Sequence, residues 1–376
     1  MQTNKVTLPM KTIGIIGGGQ LGRMMAIAAK YMGYQVAVLD PTSNCPTAQV
    51  ADQQITSAYD DMDGIQKLTD ISDVVTYEFE NVDLEAAAYI ERTGKLPQGT
   101  YALDIAQNRE KEKLIMSNAG LPIPANQIVK DSEMCVSALE NMTLPAVIKT
   151  VSGGYDGKGQ LKINTKDDIE AACEFSDQHD VCIIEQWVPF DKEISVIFTR
   201  GQSGEITFFP VSENEHKDHI LYKTTVPASI SSVVQQKALD AAGKLAEKMN
   251  IIGTFAIEMF VKGDNIYLNE MAPRPHNSGH YTIEACTISQ FAQHIRAICG
   301  LPLMPIELLR PAVMVNILGD DVETALNVLP DMRRGFLHLY GKEAIKPKRK
   351  MGHMIFIADT LDETKQQLAV YEEAKQ

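Results

Sequence analysis

The sequence predicts a three-part chain of mixed α/β and α+β class, and three observations carry that prediction. An apolar run, a glycine-rich turn and a helical apolar pattern fill residues 12–31 in the order of a βαβ unit. Beyond Gln107 this alternation gives way to strand-like runs separated by glycine-rich or polar turns. Pro302, Pro305 and Pro311 then punctuate a linker before a short closing stretch of strands and helices. The expected division is 1–102, 103–300 and 301–376, which suits 376 residues at roughly 100 to 200 residues per domain.

In the first part, residues 12–17 read as a strand, GGGQLGR as its turn and 21–31 as a helix ended by Gly33. Strands at 35–39 and 74–79 and a helix over 82–93 continue the pattern of a parallel sheet with crossover helices. The second part starts with a charged helix over 109–118 and the breaker AGLPIP. Residues 145–149 read as a strand ending in Lys149, and 181–185 as another. The segment GTFAIEMFVKGDNIYLNEMAPR reads as two strands joined at Gly263-Asp264-Asn265. In the third part, strands are expected at 312–318, 336–340 and 353–358, and helices at 322–329 and 361–374.

Apolar residues make up 44% and charged residues 22%, which excludes an intrinsically disordered chain. With 35 basic and 49 acidic residues the net charge is −14, so no nucleic-acid partner is expected and any phosphate site must be a local basic pocket. Cys45, Cys135, Cys173, Cys182, Cys286 and Cys299 include no CxxC pair and read as reduced core residues. There is no secretory leader pattern at the N-terminus and no apolar run of about 18 residues, so a cytoplasmic protein with no membrane partner is expected.

Gly17-x-Gly19-x-x-Gly22 lies between a strand and a helix, where free N–H groups attract an anion, and Asp40 ends the next strand as a ribose-binding acid would. A dinucleotide, another phosphate ligand and a structural tight turn all remain open on this motif. SGGYDGKGQ, at 152–160, follows Lys149 and reads either as a surface turn or as a mobile loop that brings backbone and lysines to phosphates. It is not a P-loop, since GxxxxGK[ST] is absent. The run Gln186-Trp187-Val188-Pro189, with Glu193 beyond it, is either a strand end with a buried Trp or an adenine slot with a ribose acceptor.

The strongest mechanistic signal is the pair Glu258 and Glu270. A three-residue hairpin loop sets these carboxylates face to face on apolar strands, and a divalent cation such as Mg²⁺ removes their repulsion. A two-residue loop would instead place them on opposite faces. His216-x-x-His219 and His276-x-x-x-His280 lack the helical context and the glutamate of a zinc site. No GxSxG elbow or reactive-cysteine motif supports covalent catalysis. KEAIKPKRK, at 342–350, reads as a solvated basic turn or as a phosphate clamp.

Taken together, GGGQLGRM, SGGYDGKGQ, NEMAPRPHNSGHYT and YGK with RKMGH resemble the ATP-grasp enzymes across essentially the whole chain. Within them they are most similar to the 5-(carboxyamino)imidazole ribonucleotide synthases of purine biosynthesis. The resemblance implies an ATP-grasp fold with an N-terminal Rossmann-like (pre-ATP-grasp) domain, a central region carrying a mobile lid and a small C-terminal α/β domain. It also assigns the glycine-rich turn to the ribonucleotide substrate and not to NAD. Arg109, Lys149 and Lys158 would contact ATP phosphates, with Gly154, Tyr155, Asp156, Gly157, Lys158, Gly159 and Gln160 as lid. Glu185, Gln186, Trp187 and Val188 would hold adenine, Glu193 the ribose, and His216 would lie near the nucleotide. Glu258 and Glu270, with Asn269 beside them, would bind Mg²⁺ or Mn²⁺. Arg274, Lys342, Arg349 and Lys350 would hold the acceptor's phosphate, while Tyr155, Asp156, His276 and Asn277 orient its amine. The implied substrates are ATP, bicarbonate and 5-aminoimidazole ribonucleotide, and the implied assembly is a homodimer. The alternatives are a formate-dependent glycinamide ribonucleotide transformylase, an NAD-dependent dehydrogenase and a non-catalytic nucleotide sensor.

Overall fold

Four parallel strands, in the order Gln53–Ile55, Gln35–Leu39, Thr12–Ile16 and Val74–Tyr77, make the N-terminal sheet. The computed structural model describes residues 6–154 and 159–375. Ile13, Ile15, Ile16, Val36 and Val38 are fully buried, as the continuous apolar runs of a parallel sheet covered on both faces demand. Helices Gln20–Tyr31 and Gln290–Ile298 pack on one face, Met62–Ile71 and Leu84–Arg92 on the other.

The glycine-rich turn is filled from within the chain. Gly18 N–H donates to Asp40 Oδ2 at 2.7 Å, Gly22 N–H to Glu78 Oε2 at 2.7 Å, and Gly19 N–H to Glu78 Oε1. Helix Gln20–Tyr31 has no side-chain cap of its own, so Glu78, at the end of a strand far along the chain, satisfies its orphan donors. A Cβ on Gly17, whose φ is 102°, would lie 2.4 Å from Glu78 Cγ, which is why glycine is needed there. Asp40 is also held by the Tyr59 hydroxyl at 2.6 Å and by Thr42 N–H at 2.7 Å. The ribose-binding role that the sequence suggests for Asp40 in a dinucleotide fold thus has no free carboxylate behind it.

The central sheet has nine strands. Its path runs Asn265–Ala272, Gly253–Lys262, Lys192–Arg200, Ser212–Lys217, Ile220–Val226, Ala312–Leu318, Lys350–Ile357 and Gly335–Leu339, with Ile206–Phe208 added beside Lys192–Arg200. Neighbours are antiparallel throughout. Helix Ser232–Met249 lays Val234, Ala238, Ala241 and Leu245 on this sheet at three- and four-residue spacing, capped by Ser231 accepting from Val234 N–H. The last three strands therefore extend the central sheet through Ile220–Val226. Residue patterning alone does not reveal that continuity.

The hairpin that carries the two glutamates departs from expectation at its turn. Lys262 pairs with Asn265, so the turn holds two residues, Gly263 and Asp264, and not three. Such a turn by itself would set Glu258 and Glu270 on opposite faces. A bulge corrects the register: Met259 faces Leu268, whereas Glu258 faces Glu270, and Asn269 drops out of the ladder. The glutamates face each other as expected, by a route the sequence reading did not foresee.

A third sheet, ordered Asn126–Val129, Cys182–Gln186, Ala146–Thr150 and Gln160–Ile163, is antiparallel and packs on helices Ser132–Glu140 and Ile169–Asp177. Its strand ends carry Lys149, Gln160, Glu185 and Gln186.

Candidate active site

All three sheets contribute walls to one cavity of about 1120 Å³. Glu78 and Glu80 enter it from the N-terminal sheet, Lys149 and Glu185 from the small sheet, and Glu193, His216, Glu258 and Glu270 from the large one. Arg109, Gly154, Gln160, Gln186, Trp187, Val188, Asn269, Arg274, His276, Asn277 and Lys350 complete the expected residues that line it. Gly159, Lys342 and Arg349 are not among the lining residues, and Tyr155, Asp156, Gly157 and Lys158 lie outside the described residues.

One end of the cavity is balanced in charge. Glu185 sits between Lys149 Nζ at 2.6 Å and Lys113 Nζ at 3.0 Å. Burial alone would raise its carboxyl, but the two lysines outweigh burial and hold it down at about 2. Lys113 also donates to the Asn269 carbonyl at 2.6 Å, which ties the bulge to helix Arg109–Asn118. Next to it, Glu112 accepts from Met271 N–H at 2.6 Å, and burial pushes its carboxyl up to about 7. Beyond Gln186, Lys162 Nζ lies 4.0 Å from the centre of the Trp187 ring, and Phe190 stacks on Phe260 at 4.7 Å. This aromatic slot beside strand-end backbone suits a flat heterocycle.

The other end is unbalanced. Glu258 and Glu270 face each other, and burial together with the Glu270 charge pushes the Glu258 carboxyl well above the usual carboxylate range. Arg109 approaches Glu270 at 3.6 Å, and His276 Nε2 lies 3.8 Å from Glu258 Oε1. His216 Nδ1 bonds Glu193 Oε2 at 2.5 Å; burial opposes its protonation, but Glu193, Glu258 and Glu270 together raise its pKa. Among the described residues no group of three or more His, Cys, Asp or Glu is arranged to hold a metal. Two facing carboxylates of this hard-oxygen kind nevertheless fit Mg²⁺, which takes one or two of them and completes its shell with phosphates and water.

Arg274 Nε is bound to Glu80 Oε2 at 2.5 Å, bridging the large sheet to the N-terminal part. Lys342 Nζ donates to the Lys350 carbonyl at 2.7 Å, and burial followed by the charges of Arg349 and Lys350 lowers its pKa to about 8. Arg349 donates to the Ala344 carbonyl at 2.8 Å. Both side-chain polar atoms of Asn277 are buried with no hydrogen-bond partner among the described residues, in a wall of the same cavity. An amide left so is costly unless a ligand completes it.

Sequence reasoning missed Lys113, Glu112, Glu80 and Glu78. The first two had a legible signal: Glu112 and Lys113 stand three and four residues after Arg109 and share its helix face. Glu80 and Glu78 had none, because their partners lie 194 and 56 to 59 residues away in the chain.

Comparisons with known proteins cover all parts of the chain. A ribonucleotide synthetase preATP-grasp domain matches residues 10–107, an ATP-grasp domain 114–291 and a phosphoribosylaminoimidazole carboxylase C-terminal domain 312–367. The chain is 48% identical over 367 residues to the N5-carboxyaminoimidazole ribonucleotide synthase of Bacillus subtilis, covering 97% of this chain and 96% of the relative. It is 43% identical over 359 residues to that of Staphylococcus aureus, covering 95% of each. The crystal structure of an ADP complex of an N5-carboxyaminoimidazole ribonucleotide synthetase superposes with a TM-score of 0.96 at 49% identity and covers 100% of both chains. The Aspergillus clavatus enzyme, in complex with ADP and 5-aminoimidazole ribonucleotide, superposes at 0.91 with 31% identity over 97% of this chain and 98% of that one. With identity sustained over nearly its whole length and all three domain types in order, the chain belongs to the N5-carboxyaminoimidazole ribonucleotide synthase family of ATP-grasp enzymes.

Proposed function

We propose that the chain joins bicarbonate to the amine of 5-aminoimidazole ribonucleotide at the expense of ATP, giving N5-carboxyaminoimidazole ribonucleotide, ADP and phosphate. The observation that carries the reading is the meeting, in one cavity, of an aromatic slot, the lysine-flanked Glu185, the facing pair Glu258 and Glu270, and the unsatisfied amide of Asn277. Relatives of the same name match over nearly the full chain, which supports it further.

In this reading Glu185 to Val188 hold adenine by backbone and aromatic contact, Glu193 takes the ribose, and His216 stands beside it. Arg109, Lys149 and Lys158 neutralise the phosphates, with 154–160 as lid, and Glu185 keeps Lys113 as partner when Lys149 turns to the nucleotide. Glu258 and Glu270 hold Mg²⁺, with Asn269 beside them. When bound, this ion supplies neutralisation of phosphate charge, which phosphoryl transfer depends on. Bicarbonate is a poor electrophile, so its phosphorylation to carboxyphosphate precedes attack by the amine. That species is labile in water, and closure of the lid gives it a dry site. Tyr155, Asp156, His276 and Asn277 orient the acceptor, while Arg274, Lys342, Arg349 and Lys350 answer its phosphate. The same reading divides the chain at 1–102, 103–300 and 301–376, and takes it as a cytoplasmic homodimer. No helix among the described residues is long and apolar enough to cross a membrane.

The test is ADP release with bicarbonate plus 5-aminoimidazole ribonucleotide, set against formate plus glycinamide ribonucleotide. Turnover with the first pair alone is expected. Turnover with only the second pair, or ADP release with neither, overturns the reading.

A further inference from the structure

Helix Gln290–Ile298 begins with a residue whose side chain never reaches the cavity. Gln290 is fully buried, yet its carboxamide meets the backbone of His276 twice: Oε1 accepts from His276 N–H at 2.9 Å, and Nε2 donates to the His276 carbonyl at 2.7 Å. That is the pairing a neighbouring strand would offer, supplied here by one side chain to the loop after strand Asn265–Ala272.

Gln290 is itself fixed on both sides. Its N–H, an orphan donor of the helix's first turn, goes to Thr282 Oγ1 at 2.9 Å, Thr282 donates on to the Gly279 carbonyl at 2.6 Å, and the Gln290 carbonyl accepts from Thr254 Oγ1 at 3.1 Å. A Cβ on Gly279 would lie 2.4 Å from Gln290 Oε1, so the glycine of the HNSGH run is the space the carboxamide occupies.

The clamp has a chemical consequence at the imidazole. His276 Nδ1 accepts from Ser278 N–H at 3.3 Å and lies 2.9 Å from Ser278 Oγ. A backbone N–H can only donate, so the ring proton sits on Nε2, the nitrogen turned toward Glu258.

We propose that Gln290 is a positioning residue for the carboxylation: by clamping the His276 backbone against the Ser278 turn, it presents the His276 ring to the cavity as an Nε2–H donor and not as a base. The inference rests on the reading of His276 as a residue that faces the acceptor and its carboxyl donor. In that place a fixed N–H holds an oxygen of the carboxyl group while the amine nitrogen bonds to its carbon, the bond from that carbon to the phosphate oxygen breaks, and the departing phosphate takes the amine's proton.

The experiment compares Gln290→Met, which keeps size and removes both hydrogen bonds, with Gln290→Glu, which keeps the acceptor for His276 N–H. For each, kcat, the KM values for ATP and for 5-aminoimidazole ribonucleotide, the ratio of ADP released to carboxylated product, and the melting temperature are measured. Gln290→Met is expected to lower kcat by about tenfold or more with the ATP KM within about twofold, and to raise the ADP-to-product ratio above that of the wild type. Gln290→Glu is expected to recover part of that loss toward acid pH, where its carboxyl gains the proton it must donate to the His276 carbonyl. A folded Gln290→Met with wild-type kcat and ratio overturns the proposal, as does a loss spread equally over both KM values. Nitrogen-15 NMR of the His276 ring, assigned by His276→Gln, gives a readout that needs no turnover: an Nε2–H tautomer is expected, and an Nδ1–H tautomer in the folded wild-type protein overturns the proposal. Failure of the wild type to use bicarbonate and 5-aminoimidazole ribonucleotide would sink the proposed function and leave the ring tautomer as a separate result.

Discussion

Two carboxylate sites in one cavity solve opposite electrostatic problems. Glu185 is buried between two lysines, whereas the partly buried Glu258 faces another glutamate, with His276 Nε2 3.8 Å from it and Arg109 3.6 Å from Glu270. The contrast separates architecture from readiness. A compensated carboxylate organises the wall whether or not ligand is bound, and a pair of facing carboxylates that is compensated less fully keeps a cost that a bound cation would relieve.

The largest test of that contrast is Glu270→Gln, with Glu258→Gln beside it. Each is expected to lower turnover by about a thousandfold, equivalent to about 4 kcal/mol of barrier, because one charged oxygen ligand is lost beside the triphosphate. Glu258→Gln is also expected to raise the melting temperature of the cation-free protein, since a carboxyl opposite Glu270 is gone, whereas in Glu270→Gln that gain is offset by the loss of the Arg109 partner. Activity and stability moving apart in this way is the signature of the unbalanced site. Near-normal turnover at saturating Mg²⁺ would show that the facing pair does not hold the ion.

At the balanced end the same type of change should act in the reverse sense. Glu185→Gln leaves Lys113, and Lys149 with it, without a counter-charge in a buried wall and should cost about 3 kcal/mol or more of stability. Chemical denaturation would read this directly. A variant as stable as the wild type would show that the lysines find solvent or other partners.

Acid should erase the same contribution in the wild type. The Glu185 carboxyl is lowered to about 2 from an unfolded value of about 4.3, so the unfolded chain binds its proton first. The stabilisation is therefore present above about pH 4.3 and lost as pH falls toward 2, a change of about 3 kcal/mol. Subtracting the acid-unfolding profile of Glu185→Gln from that of the wild type isolates it. A difference that stays flat from pH 5 to pH 2 contradicts the lysine pairing.

The smallest effect should come from the basic turn. Arg349 donates to a nearby carbonyl, so Arg349→Met is expected to raise the KM for 5-aminoimidazole ribonucleotide by only several-fold while the ATP KM stays within about twofold. Arg274→Met should shift the same constant further, because it also frees Glu80 in the cavity wall. Equal changes for both substrates would assign these residues to domain docking.

Much of this was legible in the sequence because local patterns carried it. The helix over 109–118 and the strands at 35–39 and 312–318 appear with the expected bounds, since capping and apolar spacing are local properties. What escaped depends on distant partners. Glu78 fills the glycine turn from another strand, and no spacing rule connects the two. The terminal strands join the central sheet through a pairing that composition does not encode. Lys342 and Arg349 share a run with Lys350, yet only Lys350 lines the cavity, because a loop's path decides which side chains point inward. The facing glutamates were anticipated from a turn of the wrong length, with a bulge supplying the missing residue.

That bulge at Asn269 also sets a rule of parity for insertions and deletions. In a ladder whose sides alternate, adding one residue to the arm between the turn and the bulge exchanges inside for outside beyond it, so a single-residue insertion within 265–268 would send Glu270 out of the cavity while the turn keeps its two residues. A second, compensating change on the same arm would bring it back. That arm can therefore drift in length only in paired steps, or by a one-residue step that the turn absorbs or that erases or moves the bulge. Because the Asn269 carbonyl is held by Lys113, moving the bulge carries a further cost.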